Sequence, residues 1–129
     1  MMEMNILIVD DSKVMRQMII KTLRISGLPL GEIHQASNGL EGLEFLNRQW
    51  VDLVILDINM PVMTGEEMMN HMQNRDECKD IPVIVISTEG STTRIEHMEQ
   101  LGACFIHKPF SPEKIRDAVY RILNMEDIP

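Results

Sequence analysis

Three observations predict an α/β fold, a doubly wound three-layer sandwich around a five-stranded parallel sheet. Short apolar runs alternate with amphipathic segments along the whole chain. Three of the runs end in charge. Ile6-Leu7-Ile8-Val9 leads into Asp10-Asp11, Leu53-Val54-Ile55-Leu56 into Asp57, and Cys104-Phe105-Ile106-His107 into Lys108-Pro109-Phe110. Ligands of an open parallel sheet bind outside the carboxyl ends of its strands, so three acids and one lysine would meet at a single mouth. Such a mouth suits a divalent cation and a phosphoryl group.

The elements follow in order. The first strand covers about Asn5–Val9. Ser12 caps a first helix whose apolar positions Val14, Met15, Met18, Ile19 and Leu23 keep helical spacing, and Gly27 stops it. A weaker strand lies near Glu32–Ala36. Asn38-Gly39 then turns into a second helix carrying Leu40, Leu43, Phe45 and Leu46, and Trp50 is expected to pack between that helix and the third strand. The third strand, Asp52–Leu56, is apolar almost throughout, which fits a central strand covered on both faces. Beyond Pro61 and Gly65, a third helix carries Met68, Met69 and Met72. Pro82 opens the fourth strand, Val83–Ile86, which ends at Ser87-Thr88. A fourth helix spans about Thr92–Leu101 with Ile95 and Met98 inward, and Gly102 closes it before the fifth strand, Cys104–His107. Ser111-Pro112 starts the last helix, where Ile115, Val119 and Ile122 recur at helical spacing. No linker, repeat or low-complexity stretch interrupts the chain, so residues 1–129 are expected to form one domain.

Composition excludes several classes. A net charge of -8 and a pI of about 4.9 argue against nucleic acid and anionic membrane as direct partners. No apolar run approaches a membrane span, and the amino terminus lacks a signal-peptide pattern; a cytoplasmic location is expected. Cys78 and Cys104 show no metal-ligand spacing and read as thiols. The four histidines are scattered and mark neither a metal site nor a base, and the twelve methionines read as gap-filling core residues.

The motifs Val9-Asp10-Asp11-Ser12, Ala36-Ser37-Asn38-Gly39-Leu40-Glu41, Asp57-Ile58-Asn59-Met60-Pro61-Val62-Met63-Thr64-Gly65, Ser87 and Lys108-Pro109-Phe110 stand in order and at family spacing. In them the chain resembles a response-regulator receiver domain, close to the stand-alone chemotaxis (CheY-like) type, over its whole length. The resemblance implies the flavodoxin-like strand order 2-1-3-4-5. It also implies a two-component switch that catalyses its own phosphorylation and dephosphorylation rather than turning over a substrate. Its donor would be a histidine kinase, and its downstream target would meet the surface of helix 4, strand 5 and helix 5. The protein would act as a monomer or a phosphorylation-dependent dimer.

Residue by residue, Asp57 stands at the phosphoryl-acceptor position, and a strand-end carboxylate can attack phosphorus to give an acyl phosphate. Asp10 and Asp11 resemble the metal pair. Clustered carboxylates repel unless a cation neutralises them, and Mg2+, with Mn2+ as a substitute, suits oxygen ligands. The backbone carbonyl of Asn59 is a further ligand by resemblance. Lys108 would hold the phosphoryl oxygens as a point charge, and its bond to Pro109 is expected to be cis by resemblance. Ser87 is taken as the switch hydroxyl on its distance from Pro82, with Thr88 as the alternative. Strand alternation sends the two side chains opposite ways without saying which meets the site. Phe105 matches the aromatic switch, although a plain core aromatic is equally open. The stretch from Gly102 to Phe105 is one residue shorter than the family's usual length, which bears on where the fifth strand starts. Asn59 and Glu89, two beyond the acceptor and two beyond the hydroxyl, resemble the pair of fast-cycling receivers and imply a short-lived phosphorylated state.

Three other functions compete. A non-phosphorylated receiver-fold adapter would be expected to have lost an acid or the lysine. A phosphatase of the haloacid-dehalogenase type places two aspartates one residue apart, whereas Asp10 and Asp11 are adjacent. A flavin carrier needs a phosphate-cradling loop where this chain has acids.

Overall fold

The computed structural model describes residues 3–123, so the ends of the expected domain at 1–2 and 124–129 lie outside the described residues. Five strands alternate with five helices: β1 (Met4–Val9), α1 (Lys13–Ile25), β2 (Leu30–Ala36), α2 (Gly39–Arg48), β3 (Leu53–Leu56), α3 (Gly65–Gln73), β4 (Val83–Ser87), α4 (Thr92–Gln100), β5 (Cys104–His107) and α5 (Pro112–Ile122). All neighbouring strands pair in parallel, in the order β2-β1-β3-β4-β5. Among the described residues no helix is long and apolar enough to cross a membrane.

The sheet divides the core in two. Alternation sends Leu7, Val9, Val54, Leu56, Val83 and Val85 to one face, where they meet Leu43 and Leu46 of α2 and Met68, Met69 and Met72 of α3. Ile6, Ile8, Leu53, Ile55, Ile84 and Ile86 go to the other face, against Ile19 and Leu23 of α1 and Ile115 and Val119 of α5. Truncating any of the leucines, isoleucines or methionines among them to alanine should cost about 2–5 kcal/mol. Cys78 lies in the first cluster and Cys104 packs on the second, which puts the two free thiols on opposite faces of the sheet.

Each helix follows a strand, so all five helix N-termini gather at the carboxyl ends of the strands. Ser12, Asn38, Thr64, Ser91 and Ser111 cap them, each side chain accepting from a backbone amide three residues on. The amino ends of helices favour negative charge, which suits the acids of the mouth and an arriving anion.

Several expectations shift. β2 begins at Leu30 rather than Glu32, after an irregularity at Met4/Ile6 where the Asn5 side chain accepts from the Glu32 amide at 2.8 Å. Asp52 stays outside β3 and instead accepts from the Asn5 amide at 2.8 Å. α4 ends at Gln100, with Leu101 as its C-cap. β5 starts at Cys104 as read, because Gly102 takes φ +102° and turns the chain tightly. Trp50 is not packed between α2 and β3; it is 58% exposed. Val14, Met18 and Leu40 are likewise exposed, so the apolar stripe of α1 is wider than the face it buries.

Candidate functional site

The mouth is built on the register of β1 against β3. Val9 pairs with Leu56, so Asp10 and Asp57 leave adjacent strands side by side, and the Asp57 amide donates to the Val9 carbonyl at 2.9 Å. Carboxylate oxygens of Asp10, Asp11 and Asp57 all lie within 4.8 Å of one another. Asp10 and Asp57 are buried while Asp11 is exposed. Asp10 accepts from the Ser12 amide at 2.9 Å through one oxygen, and its other oxygen is buried with no partner. A buried carboxylate oxygen without a donor costs stability unless something positive meets it. The residues therefore fit a hard divalent cation.

Electrostatics agree. Burial pushes the Asp10 carboxyl above its ordinary range; the Ser12 amide pulls it back, and the neighbouring Asp57 and Asp11 push it further up. Burial raises Asp57 too, opposed by Lys108, by the Ile58 amide that donates to it at 2.9 Å, and more weakly by the Ser87 hydroxyl. Lys108 Nζ stands 4.0 Å from Asp57 Oδ1. The Lys108–Pro109 bond is cis, as expected, and the Lys108 amide donates to the Ser87 carbonyl at 3.0 Å.

The two hydroxyl candidates separate clearly. Ser87 is buried and faces Asp57, and its Oγ accepts from the Glu89 amide at 3.2 Å. Thr88 is exposed and turns to the α1 side, where it lines a groove of about 390 Å³ with Met15, Met18, Lys108, Pro109 and Phe110. Phe105 is half-buried against the α2/α3 cluster, with its ring edge-on to His107 at 4.7 Å.

The loop after Asp57 is tightly held. A Cβ on Gly65 would run into the Asp57 carbonyl oxygen and the Ile58 Cα, so the close approach of α3 to the end of β3 admits only glycine. Thr64 and Glu67 close a reciprocal capping box. Between them and Asp57, Val62 takes φ +69° and the Met63 amide reaches back to the Pro61 carbonyl at 2.7 Å, a γ-turn.

Asn59 and Glu89 share a hydrogen-bond partner that the sequence reading missed. Arg94, in the first turn of α4, donates to Asn59 Oδ1 at 3.1 Å, to Glu89 Oε1, and through Nε to Glu66 Oε1 at 2.8 Å. A signal was present: a cation in the first turn of a helix opposes the helix dipole and calls for acidic partners.

Comparison with known proteins agrees with this geometry. The family model described as "Response regulator receiver domain" matches residues 6–120. The chain is 35% identical to sporulation initiation phosphotransferase F of Bacillus subtilis over 98% of each chain. It is 32% identical to chemotaxis protein CheY1 of Helicobacter pylori, over 96% of this chain and 100% of that one. Among solved structures, Vibrio cholerae CheY4 superposes with a TM-score of 0.81 at 33% identity, covering 94% of this chain and 99% of that one. CheY in the CheX–CheY–BeF3–Mg2+ complex of Borrelia burgdorferi superposes with a TM-score of 0.84 at 28% identity, covering 93% and 89%. The chain belongs to the response-regulator receiver domain family of two-component systems.

Proposed function

We propose that this receiver accepts a phosphoryl group on Asp57 from the phosphohistidine of a histidine kinase and then alters its α4, β5 and α5 surface for a downstream target in the cytoplasm. The observation that carries the reading is the buried, partnerless oxygen of Asp10 beside Asp57 and Lys108. An Asp57 carboxylate oxygen forms the new bond to phosphorus while the bond from phosphorus to the donor imidazole breaks, its electron pair staying on nitrogen. Asp10, Asp11 and the Asn59 carbonyl would hold Mg2+, which offsets the charge on the phosphoryl oxygens. Lys108 sets a positive charge beside the same oxygens, and the Ser87 hydroxyl can donate to one of them once the phosphoryl group is in place.

That movement supports a route to the surface. Ser87 Oγ is engaged by the Glu89 amide, so turning it toward a phosphoryl oxygen disturbs the loop that begins α4. Phosphorylation then favours a state already accessible to the chain. Phe105, one strand away and beside Arg121, borders two surface hollows of about 360 and 370 Å³ into which an aromatic ring has room to move. A surface for the phosphodonor is also supported. Any body that delivers a phosphoryl group to Asp57 must cover the mouth, and the apolar groove of Met15, Met18 and Phe110 meets it at Lys108. Exposed Val14, on the same helix, widens that apolar surface.

Incubation with a small-molecule phosphodonor and Mg2+ should add one phosphoryl mass, and Asp57→Asn should abolish it. Modification of the Asp57→Asn protein to a comparable extent would overturn the assignment.

A further inference from the structure

Glu89 lies two residues beyond Ser87, to whose Oγ its amide donates, and Asn59 lies two residues beyond Asp57; neither side chain is free. Glu89 Oε1 accepts from Arg94, Glu89 Oε2 accepts from the Ser91 amide at 3.0 Å, and Asn59 Oδ1 accepts from Arg94 at 3.1 Å. To orient or deprotonate an attacking water, a side chain must offer it an acceptor oxygen. Here every side-chain oxygen of the pair already accepts from an N–H. We propose that Arg94 is a positioning residue that prolongs the phosphorylated state by holding the acceptor oxygens of Asn59 and Glu89 away from the attacking water. The inference rests on Asp57 being the phosphoryl acceptor.

Anchoring of α4 alone does not account for this arrangement. The helix has its own cap in Ser91, an apolar pin in fully buried Met98, and a tie at its far end, where Gln73 donates to the Leu101 carbonyl at 3.1 Å. Arg94 adds a cation between the amino ends of α3 and α4, where helix dipoles disfavour it. Two carboxylates, Glu66 from α3 and Glu89 from the β4–α4 loop, hold it there. Glu66 fixes the guanidinium from behind, which leaves Nη1 facing the two side chains of the mouth.

The chemistry being restrained is simple. A water oxygen bonds to phosphorus, the bond from phosphorus to the Asp57 oxygen breaks with its electron pair returning to the carboxylate, and a water proton passes to solvent as inorganic phosphate leaves. A released Glu89 carboxylate could accept a hydrogen bond from that water and align it for in-line attack.

The test follows loss of the phosphoryl mass from the full chain after a small-molecule phosphodonor is removed, with Mg2+ held constant. Arg94→Ala should take up the same single phosphoryl group and lose it about three- to tenfold faster than the parent. Adding Glu89→Gln to Arg94→Ala removes the released carboxylate and should bring the rate back to within about twofold of the parent. Arg94→Lys keeps the charge but not the fork, and should fall between the two. Equal lifetimes for the parent and Arg94→Ala, with both proteins phosphorylated, would overturn the proposal and leave Asp57 as acceptor. A fast Arg94→Ala that Glu89→Gln does not slow would also overturn it, because the effect would then be loosening of α4. Absence of any mass gain on the parent would overturn both readings.

Discussion

At the floor of the mouth, β1 and β3 lie side by side with every residue of Ile6–Val9 and Leu53–Leu56 at 1% exposure or less. On the rim, α4 buries a single residue, Met98, and is otherwise held by the side chains of Arg94, Glu89, Glu66 and Gln73. Apolar burial is indifferent to a new charge nearby, whereas ion pairs and hydrogen bonds are reweighted by one. On the reading proposed above, the floor would keep three carboxylates in place while a phosphoryl group comes and goes. The rim is the part that a doubly charged group can rearrange. Under that proposal, chemistry and signalling would be separated within a single mouth by the kind of force that holds each side.

Substitutions can break that contrast. The largest effect is expected from Gly65→Ala, which presses a Cβ into the backbone of Asp57 and Ile58. It should cost about 3 kcal/mol or more in urea unfolding, since neither backbone can retreat from the packed floor. A loss no larger than a surface substitution would show that the floor yields.

Asp10→Asn probes the floor's electrostatic cost. Burial raises the folded-state pKa of Asp10 above the ordinary 3.8, so the folded chain holds that proton more tightly than the unfolded chain. Stability from this group is then complete below about pH 3.8 and declines as pH rises through the folded value. In metal-free protein, Asp10→Asn should be the more stable form at neutral pH by about 1–3 kcal/mol, with the gap closing toward acid. Mg2+ should stabilise the parent and narrow the difference. A parent more stable than the variant in chelator at neutral pH would contradict this.

Asp11→Ala removes the exposed acid of the three. Mg2+ affinity in a calorimetric titration should weaken by about tenfold or more, roughly 1.4 kcal/mol, with little change in metal-free stability. Unchanged affinity would reduce Asp11 to a helix-start residue. The smallest effect belongs to the rim loop. Val62→Gly relieves a β-branched residue at φ +69°, and should raise stability by about 0.5–1 kcal/mol while leaving phosphoryl uptake intact.

How much of this was legible in the sequence varied with the range of the interactions involved. The strands showed because long apolar runs have few other uses, and the acids showed because charge at the end of such a run is costly without a purpose. β2 was blurred because it is an edge strand, only partly buried along most of its length. The helical period of α1 located the helix but overstated its core face: Val14 and Met18 keep the apolar spacing yet stand in solvent. Periodicity cannot tell a side chain facing the core from one facing a partner. Distance from Pro82 favoured Ser87 over Thr88, but strand alternation was silent, and only the fold buries the one and exposes the other. Arg94 reaches partners 28 and 35 positions away, a contact that local pattern does not encode.

The exposure of Trp50 has a practical consequence for anyone watching this switch. It is the sole tryptophan, and it sits between the end of α2 and the start of β3, at the amino ends of the strands and so at the opposite end of the sheet from Asp57. Its indole is already 58% exposed in the folded protein. Tryptophan emission is therefore expected to be that of a wet indole, and to stay nearly constant if Asp57 is phosphorylated as proposed. Kinetics of the proposed phosphorylation call for mass, radiolabel or an introduced fluorophore near the α4 rim.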